Sequence, residues 1–168
     1  MDRLRLMLAT SGGLGLSPVA PGTFGTLGGV LIAWALSFTG AGFPLWTAAV
    51  VVVLYVVGRP LVTWSERRAG HGDPGWYVLD EVIGYLICVA WIAPPTLLSL
   101  VCAFLLFRFF DILKPTPIRQ IERLHGADGV LLDDVVAGLF GLACMAVLRL
   151  LVLDPSYWEL AASPVGGL

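Results

Sequence analysis

Five long apolar segments alternate with shorter polar ones along this chain, and each is long enough to form a helix that is apolar on every side. Such helices are buried in lipid or among other helices. About 17 to 20 residues cross the hydrocarbon core of a bilayer, so the first four segments would need flanking residues or a thinned bilayer. The segments cover residues 26–40, 43–58, 78–92, 96–110 and 131–153.

The connections between these segments predict how the helices pair. Short turns rich in glycine and proline, TGAGFP and APPT, join the first two segments and the next two into helical hairpins. Longer polar segments, 59–77 and 111–130, separate the hairpins from each other and from the last helix. We therefore expect an all-α polytopic membrane bundle of about five transmembrane helices after a Gly/Pro-rich N-terminal loop, with residues 1–168 as one membrane-embedded domain.

Composition supports a membrane protein. The chain is 58% hydrophobic and only 13% charged, with a mean hydropathy of +0.88, whereas soluble domains are about half apolar and a quarter charged. No nucleic-acid partner is expected, and we see no cleavable signal peptide at the N-terminus. The three cysteines lie inside apolar segments at spacings unlike metal or redox motifs, so we expect Cys88, Cys102 and Cys144 to be packing residues.

The basic residues collect at one end of the predicted bundle. If successive helices cross in alternate directions, the N-terminus and both long polar segments share that end. Only Arg149 of the ten lysines and arginines lies elsewhere. Because cytoplasmic loops carry the excess of Lys and Arg, we expect this end to face the cytoplasm. The residues at this end are Arg3, Arg5, Arg59, Arg67, Arg68, Arg108, Lys114, Arg119 and Arg123.

Five carboxylates lie at predicted helix ends on the same side. Asp80 and Glu81 open the third helix, Asp111 closes the fourth, and Asp133 and Asp134 open the fifth. Helix capping explains one acid at each N-terminus but neither the adjacent pairs nor an acid at a C-terminus. Carboxylates are costly at membrane depth, and Mg²⁺ prefers hard oxygen ligands. We therefore predict that these five residues are catalytic and hold one or two Mg²⁺.

Basic side chains lie next to one of these acids. Arg108 and Lys114 are three residues before and three after Asp111, so the three share a helix face. One cation can pair with Asp111, which leaves the other for a phosphate group. Small residues should allow the helices to approach closely, since Gly84 and Gly138 each follow an acid by four residues.

The N-terminal stretch SGGLGLSPVAPGTFGTLGG adds a third element to this end. We expect it to enter the first long helix with Thr23 or Thr26 as the cap, and N–H groups at such a helix start bind anions. The stretch is neither a Walker motif nor a Rossmann turn. His125, in RLHGADG, is either a general acid or an ordinary loop residue, while His71 is expected to be a solvated turn residue.

Four motifs in this order, GLSPVAPGTFGTLGG, LDEVIGY, FRFFDILKPTPI and HGADGVLLDDVVAG, resemble the phosphatidylglycerophosphatase A family of bacterial membrane phosphatases. The resemblance covers most of residues 12–141. It implies Mg²⁺-dependent removal of the terminal phosphate of phosphatidylglycerophosphate, at the inner membrane. It also implies roles for Thr23, Asp80, Glu81, Arg108, Asp111, Lys114, Pro115, Asp133 and Asp134. HGADG departs from the His-Gly-Gly pattern of the family, which leaves the role of the loop around His125 open.

These observations together predict a Mg²⁺-dependent lipid phosphatase with its site at the cytoplasmic face. Thr23, Arg108, Lys114 and His125 would bind the substrate phosphate, and either a water or an aspartate would be the nucleophile. A divalent-cation transporter is an alternative, although its acids should lie near the membrane midplane. A Mg²⁺-dependent enzyme acting on CDP-lipids would instead space its aspartates along two helices. A homo-oligomer through the glycine faces is left open.

Overall fold

The computed structural model describes residues 2–124, 126–151 and 154–160, and in these residues the chain is helical, with no β-strand. Short 3-10 turns occur at Leu14–Leu16, Gly40–Gly42 and Pro155–Tyr157. The α-helices are α1 (Asp2–Ala9), α2 (Pro21–Ser37), α3 (Phe43–Ala69), α4 (Leu79–Val89), α5 (Leu97–Leu113), α6 (Ile118–Ile121) and α7 (Ala127–Leu151). The all-α prediction is therefore confirmed for these residues.

Each of the five predicted apolar segments overlaps one helix, but several boundaries differ from the prediction. Helix α3 continues through the polar segment to Ala69, because SERRA contains good helix formers, and it ends where Gly70 adopts a φ of 79°. Helix α2 begins at Pro21, a residue suited to the first helical position, with Ala20 before it. The expected threonine cap is thus wrong. Thr26 lies inside the helix and its Oγ1 donates to the Gly22 carbonyl at 2.8 Å.

The helices differ in whether they are long and apolar enough to cross a membrane. In the described part of the chain, two helical segments are long and apolar enough to cross a bilayer: residues 40–69, which include α3, and α7. Helix α4 has 11 residues and is about 16 Å long, roughly half the thickness of a hydrocarbon core. The prediction of about five transmembrane helices is therefore not confirmed by length.

The short helix α4 lies at the centre of the bundle, packed against α2, α3, α5 and α7. Nine of its eleven residues are buried. Its backbone lies very close to that of α7. A Cβ atom added to Gly138 would lie only 2.3 Å from the carbonyl oxygen of Gly84. On the other side, a Cβ on Gly29 of α2 would lie 2.9 Å from the Tyr85 ring. The predicted close contact through Gly84 and Gly138 is confirmed.

The outward surface of the bundle is apolar. Large apolar side chains on α2, α3, α5 and α7 are more than half exposed, among them Leu31, Val56, Leu105 and Leu150. Soluble monomers rarely expose apolar patches of this extent. The described part of the chain thus combines a buried central helix with an outer ring of helices that presents apolar side chains outward.

The three cysteine thiols are free, as expected for packing residues. Cys88 is buried and its thiol donates to the Ala103 carbonyl at 3.4 Å. A Cβ on Gly141 of α7 would come within 2.4 Å of its sulfur, so Cys88 fills the space that this glycine leaves.

Candidate active site

A cavity of about 550 Å³ opens at one end of the bundle. It is bordered by the start of α2, the start of α4, the end of α5, the first two turns of α7 and the segment 73–77. The alternating direction of the helices brings these ends together, as the order of helices along the chain predicted. All five predicted carboxylates and both predicted cations line this cavity: Asp80, Glu81, Asp111, Asp133, Asp134, Arg108 and Lys114.

Three of the carboxylates form a compact cluster. Asp80, Glu81 and Asp134 each offer an oxygen, and these oxygens all lie within 4.8 Å of one another. Asp80 and Asp134 are only 7% and 4% exposed. Glu81 Oε2 is buried and has no hydrogen-bond partner in the described residues. A buried carboxylate oxygen without a partner is costly, and three carboxylates this close together could hold a cation.

The close crossing of α4 and α7 explains why these acids converge. The glycines at the crossing lie one helical turn inside Asp80 and Asp134, so the two backbones are still close where the acids begin. The first acid of each adjacent pair uses one carboxylate oxygen to accept a hydrogen bond from the backbone N–H of the second. Asp80 Oδ1 accepts from the Glu81 N–H at 3.1 Å, and Asp133 Oδ1 accepts from the Asp134 N–H at 2.9 Å.

The other two carboxylates are paired with cations of α5. Arg108 Nη1 donates to Asp111 Oδ2, one helical turn away. Lys114, which caps the end of α5, donates from Nζ to Asp133 Oδ2 and Glu122 Oε1, both at 2.7 Å. The adjacent residues Asp133 and Asp134 point about 100° apart on the helix, so one faces Lys114 and the other faces α4.

Lys114 is held in its charged form. Burial lowers its pKa, but the hydrogen bonds and negative charges of Asp133 and Glu122 outweigh burial, and the pKa is raised above its usual range. Nζ has three protons and two carboxylate partners, which leaves one donor for a ligand. Arg108 also has spare capacity, because its buried Nε has no hydrogen-bond partner in the described residues. The cavity therefore combines a carboxylate cluster with two cations, Arg108 and Lys114, that each have a hydrogen-bond donor left for a ligand.

Three other predicted residues lie elsewhere or cannot be placed. Thr23 is in the first turn of α2, where its N–H donates to the Ala20 carbonyl at 2.9 Å, and it is not among the residues that line the cavity. His125 lies outside the described residues. His71 is exposed and its Nδ1 lies 2.9 Å from the Gly72 carbonyl, which agrees with a solvated turn.

The structure also adds residues that the sequence analysis did not single out. Gly22 closes the cavity on the α2 side, and a Cβ there would lie 2.5 Å from Glu81 Oε1 and 3.2 Å from Arg108 Nη1. Its place in the PGT motif was the available signal. Tyr77 and Glu122 also line the cavity, but no sequence pattern distinguished them.

Asp73 is another addition, at the rim of the cavity. It has a left-handed backbone conformation, with a φ of 43°. Asp73 is exposed to solvent, but crowding of its carboxyl group at the rim raises its pKa; Lys114 opposes the change, and Glu122 and Asp111 add to it. With Glu122, Asp73 raises the number of carboxyl groups that line the cavity to seven, and Asp73 is easier to protonate than an ordinary aspartate.

Comparison with known proteins gives a consistent result. Residues 7–149 match the phosphatidylglycerophosphatase A family. A phosphatidylglycerophosphatase A of Haemophilus influenzae is 36% identical over 157 residues, or 92% of this chain and 90% of that protein. The Escherichia coli phosphatidylglycerophosphatase A is 34% identical over 135 residues, or 79% and 76%. A Bacteroides thetaiotaomicron protein named "putative phosphatidylinositol-3-phosphatase" is 36% identical over 154 residues, or 87% and 94%. No solved structure matches the chain at a significant level.

Proposed function

The chain belongs to the phosphatidylglycerophosphatase A family, and from this premise we propose that it hydrolyses the terminal phosphate of phosphatidylglycerophosphate to give phosphatidylglycerol and inorganic phosphate. The observation that supports this most is the cluster of Asp80, Glu81 and Asp134 beside Arg108 in one cavity. A bound cation and fixed positive side chains promote hydrolysis of a phosphate monoester, since phosphoryl transfer depends on positioning and on neutralising charge.

We propose Mg²⁺ as the cofactor, with Asp80, Glu81 and Asp134 as its protein ligands. The donor set fits, because all three offer oxygen and Glu81 Oε2 has no other partner in the described residues. A bound Mg²⁺ supplies charge neutralisation at the phosphate and lowers the pKa of a coordinated water. Asp111 and Asp133, the other members of the predicted ligand set, are paired with Arg108 and Lys114.

The cations of α5 hold the phosphate in this proposal. Arg108 is oriented by Asp111 and retains an unpartnered Nε, and Lys114 retains one free proton on Nζ. Both can donate to phosphoryl oxygens, where charge-assisted hydrogen bonds are strong. Gly22 leaves the space between the Arg108 guanidinium and Glu81 open. Thr23 and His125 keep their predicted roles in phosphate binding as part of the proposal.

In this proposal the bundle crosses the cytoplasmic membrane, with the cavity at the cytoplasmic face. Outward apolar side chains on four helices and the excess of Lys and Arg at the cavity end support this placement. Helix α4 needs no contact with lipid because its neighbours surround it. The five helices α2–α5 and α7 would then form one multi-pass bundle, in which the short central helix ends inside the protein.

The relatives suggest two different head groups for the substrate. Two relatives are named for phosphatidylglycerophosphate and one for phosphatidylinositol 3-phosphate, at similar identity. Both lipids carry a phosphate monoester on an alcohol head group, which the same cluster can bind. The family match favours phosphatidylglycerophosphate.

The test is release of inorganic phosphate by the purified protein in detergent micelles, with Mg²⁺ and with EDTA. Phosphatidylglycerophosphate, phosphatidylinositol 3-phosphate and phosphatidic acid are offered separately. We expect Mg²⁺-dependent release that is fastest from phosphatidylglycerophosphate. Faster release from the inositol lipid would move the substrate to that of the Bacteroides relative. No release from folded protein would contradict a phosphatase and favour the transporter.

A further inference from the structure

A second cavity, of about 690 Å³, lies between α1 and the second half of α3. Its walls share no residue with the candidate active site. Side chains of α3 line it at helical spacing from Val56 through Pro60, Leu61 and Trp64 to Arg67, and Arg5 of α1 completes it. The groove is therefore apolar along most of its length and basic where α1 crosses α3.

The two arginines are available to a ligand. Arg67 is exposed and forms no ion pair within the described residues. Arg5 has one partner, Asp2 on the same helix, at 3.9 Å, with side chains 49% and 72% exposed. An exposed pair at this distance contributes little. Both guanidinium groups can therefore bind an anion at the basic end of the groove.

The dimensions fit a lipid in one leaflet. Arg67 and Val56 are eleven residues apart on one helix, which corresponds to about 16 Å. This is about half of the roughly 30 Å hydrocarbon core. Val56 is 63% exposed at the apolar end of the groove. An acyl chain lying along α3 would thus reach from the head-group level to the middle of the bilayer.

Helix α1 indicates where the basic end lies. It carries exposed Leu4 and Met7 together with Arg3 and Arg5, the pattern of a short amphipathic helix lying in a membrane interface. The end of α3 next to Arg67 leads directly into the segment 73–77 that borders the candidate active site. Both cavities therefore lie at the same end of the bundle.

We propose that this groove binds one anionic phospholipid of the cytoplasmic leaflet, with its head group between Arg5 and Arg67 and an acyl chain along α3 towards Val56. Charge complementarity selects the ligand, because two arginines at the basic end favour a lipid with net negative charge over a zwitterionic one. The inference rests on the proposed membrane placement but not on the proposed hydrolysis, since the groove lies outside the active site.

The experiment is native mass spectrometry of the full chain, released from micelles that contain equal amounts of phosphatidylglycerol and phosphatidylcholine. We expect one retained phosphatidylglycerol and a preference of about fivefold for each arginine that contacts it. Arg5→Gln with Arg67→Gln should reduce the preference to near one. Arg3→Gln with Arg119→Gln removes the same charge from exposed positions outside the groove and should leave the preference intact.

A second variant tests the apolar end of the groove. Val56→Trp fills it with another apolar side chain and should also displace the lipid, even if the arginine variant were to fold poorly. Phosphate release from phosphatidylglycerophosphate, in micelles that contain no other anionic lipid, should be unchanged in both groove variants, which separates this site from catalysis. Equal retention of the two lipids by the unmodified chain would overturn the proposal. The proposal would also be overturned if the Arg3→Gln with Arg119→Gln control lost as much of the lipid preference, or if the protein formed a dimer whose interface covers the groove.

Discussion

Buried charged groups occur at both ends of the bundle, but the two ends treat them differently. At the cavity end, the five predicted carboxylates and two cations line a cavity of about 550 Å³, and Glu81 Oε2 and Arg108 Nε have no hydrogen-bond partner in the described residues. At the opposite end, Arg149 is 9% exposed and its guanidinium stacks over Trp91, 4.1 Å from the ring centroid. Trp91 in turn donates to Glu159 at 2.8 Å.

The difference lies in what surrounds the unpartnered atoms. None of the Arg149 nitrogens has a hydrogen-bond partner in the described residues, yet Arg149 lines neither the active-site cavity nor the groove along α3. An aromatic face replaces the missing partners, as in other cation–π pairs. Unpartnered polar atoms therefore indicate a ligand site only where open volume and converging groups accompany them. We expect function to depend on the cavity end. Stability should depend on the opposite end around Arg149, Trp91 and Glu159, which we call the closed end.

The largest effect is expected from Asp134→Asn. The change keeps the size of the side chain but removes the charge from the centre of the carboxylate cluster. Phosphate release should fall by about 100-fold or more, since loss of even an outer-shell partner of a metal site costs 10- to 100-fold. Detergent-solubilised protein is assayed at saturating Mg²⁺, with thermal unfolding as the measure of folding.

Asp154→Asn is the matched control, an acid-to-amide change on an exposed residue at the closed end. Its rate should stay within twofold of the unmodified chain. If Asp134→Asn were to retain near-normal release, Asp134 would be removed from the site. Asp111→Asn should lower turnover by about 10- to 100-fold, since Arg108 would lose the charged carboxylate that orients it.

Much of the cavity end could be predicted from the sequence, for a physical reason. Charged residues are confined to the ends of such apolar segments. Because successive helices run in alternate directions, the segment ends that carry the acids lie at the same end of the bundle. The glycines spaced one turn from Asp80 and Asp134 indicated the crossing that brings them together.

Which acids form the carboxylate cluster and which pair with Arg108 and Lys114 could not be predicted in the same way. It depends on the exact rotation of α7, which starts at Ala127 and places Asp133 and Asp134 in its second turn instead of its first. Hydropathy also cannot distinguish a lipid-facing helix from a central one, so the short, buried α4 resembled its neighbours. The amphipathic helix α1 was missed because eight residues with two arginines carry a weak signal.

The second prediction tests the crossing that aligns the acids. Gly138→Val would place a branched side chain where a Cβ atom already lies 2.3 Å from the Gly84 carbonyl oxygen. Backbone cannot move aside as a flexible side chain does, so the helices must separate. We expect a loss of about 1–3 kcal/mol in stability and a fall in phosphate release, measured by thermal unfolding and turnover of the same preparation.

Gly72→Ala provides the comparison for this change. The nearest atom to a Cβ at Gly72 is Glu66 Oε1 at 3.8 Å, so the added methyl group has room. Both stability and turnover should be unchanged there. Full activity in Gly138→Val would show that the acids do not depend on this crossing.

The third prediction concerns the closed end. Arg149→Met removes the stacking on Trp91 and the attraction of Glu159 but also removes a buried guanidinium that lacks hydrogen bonds. These effects oppose each other. We expect a net destabilisation of about 1 kcal/mol and unchanged phosphate release. A large loss of activity without unfolding would contradict a structural role and make Arg149 part of a functional site.

The smallest effect is expected from Ser99→Ala, near the start of α5 at the same closed end. Ser99 is fully buried, and its Oγ donates to the Trp158 carbonyl at 2.6 Å. That carbonyl also accepts the Thr96 N–H at 3.2 Å, so the substitution does not leave it without a partner. The cost should therefore be near the low end for a lost hydrogen bond, about 0.5–1 kcal/mol. Thermal unfolding beside the exposed Ser156→Ala should resolve this difference, whereas turnover should be equal in the two variants, because neither serine borders the cavity. A fall in turnover confined to Ser99→Ala would show that the closed end is coupled to the site.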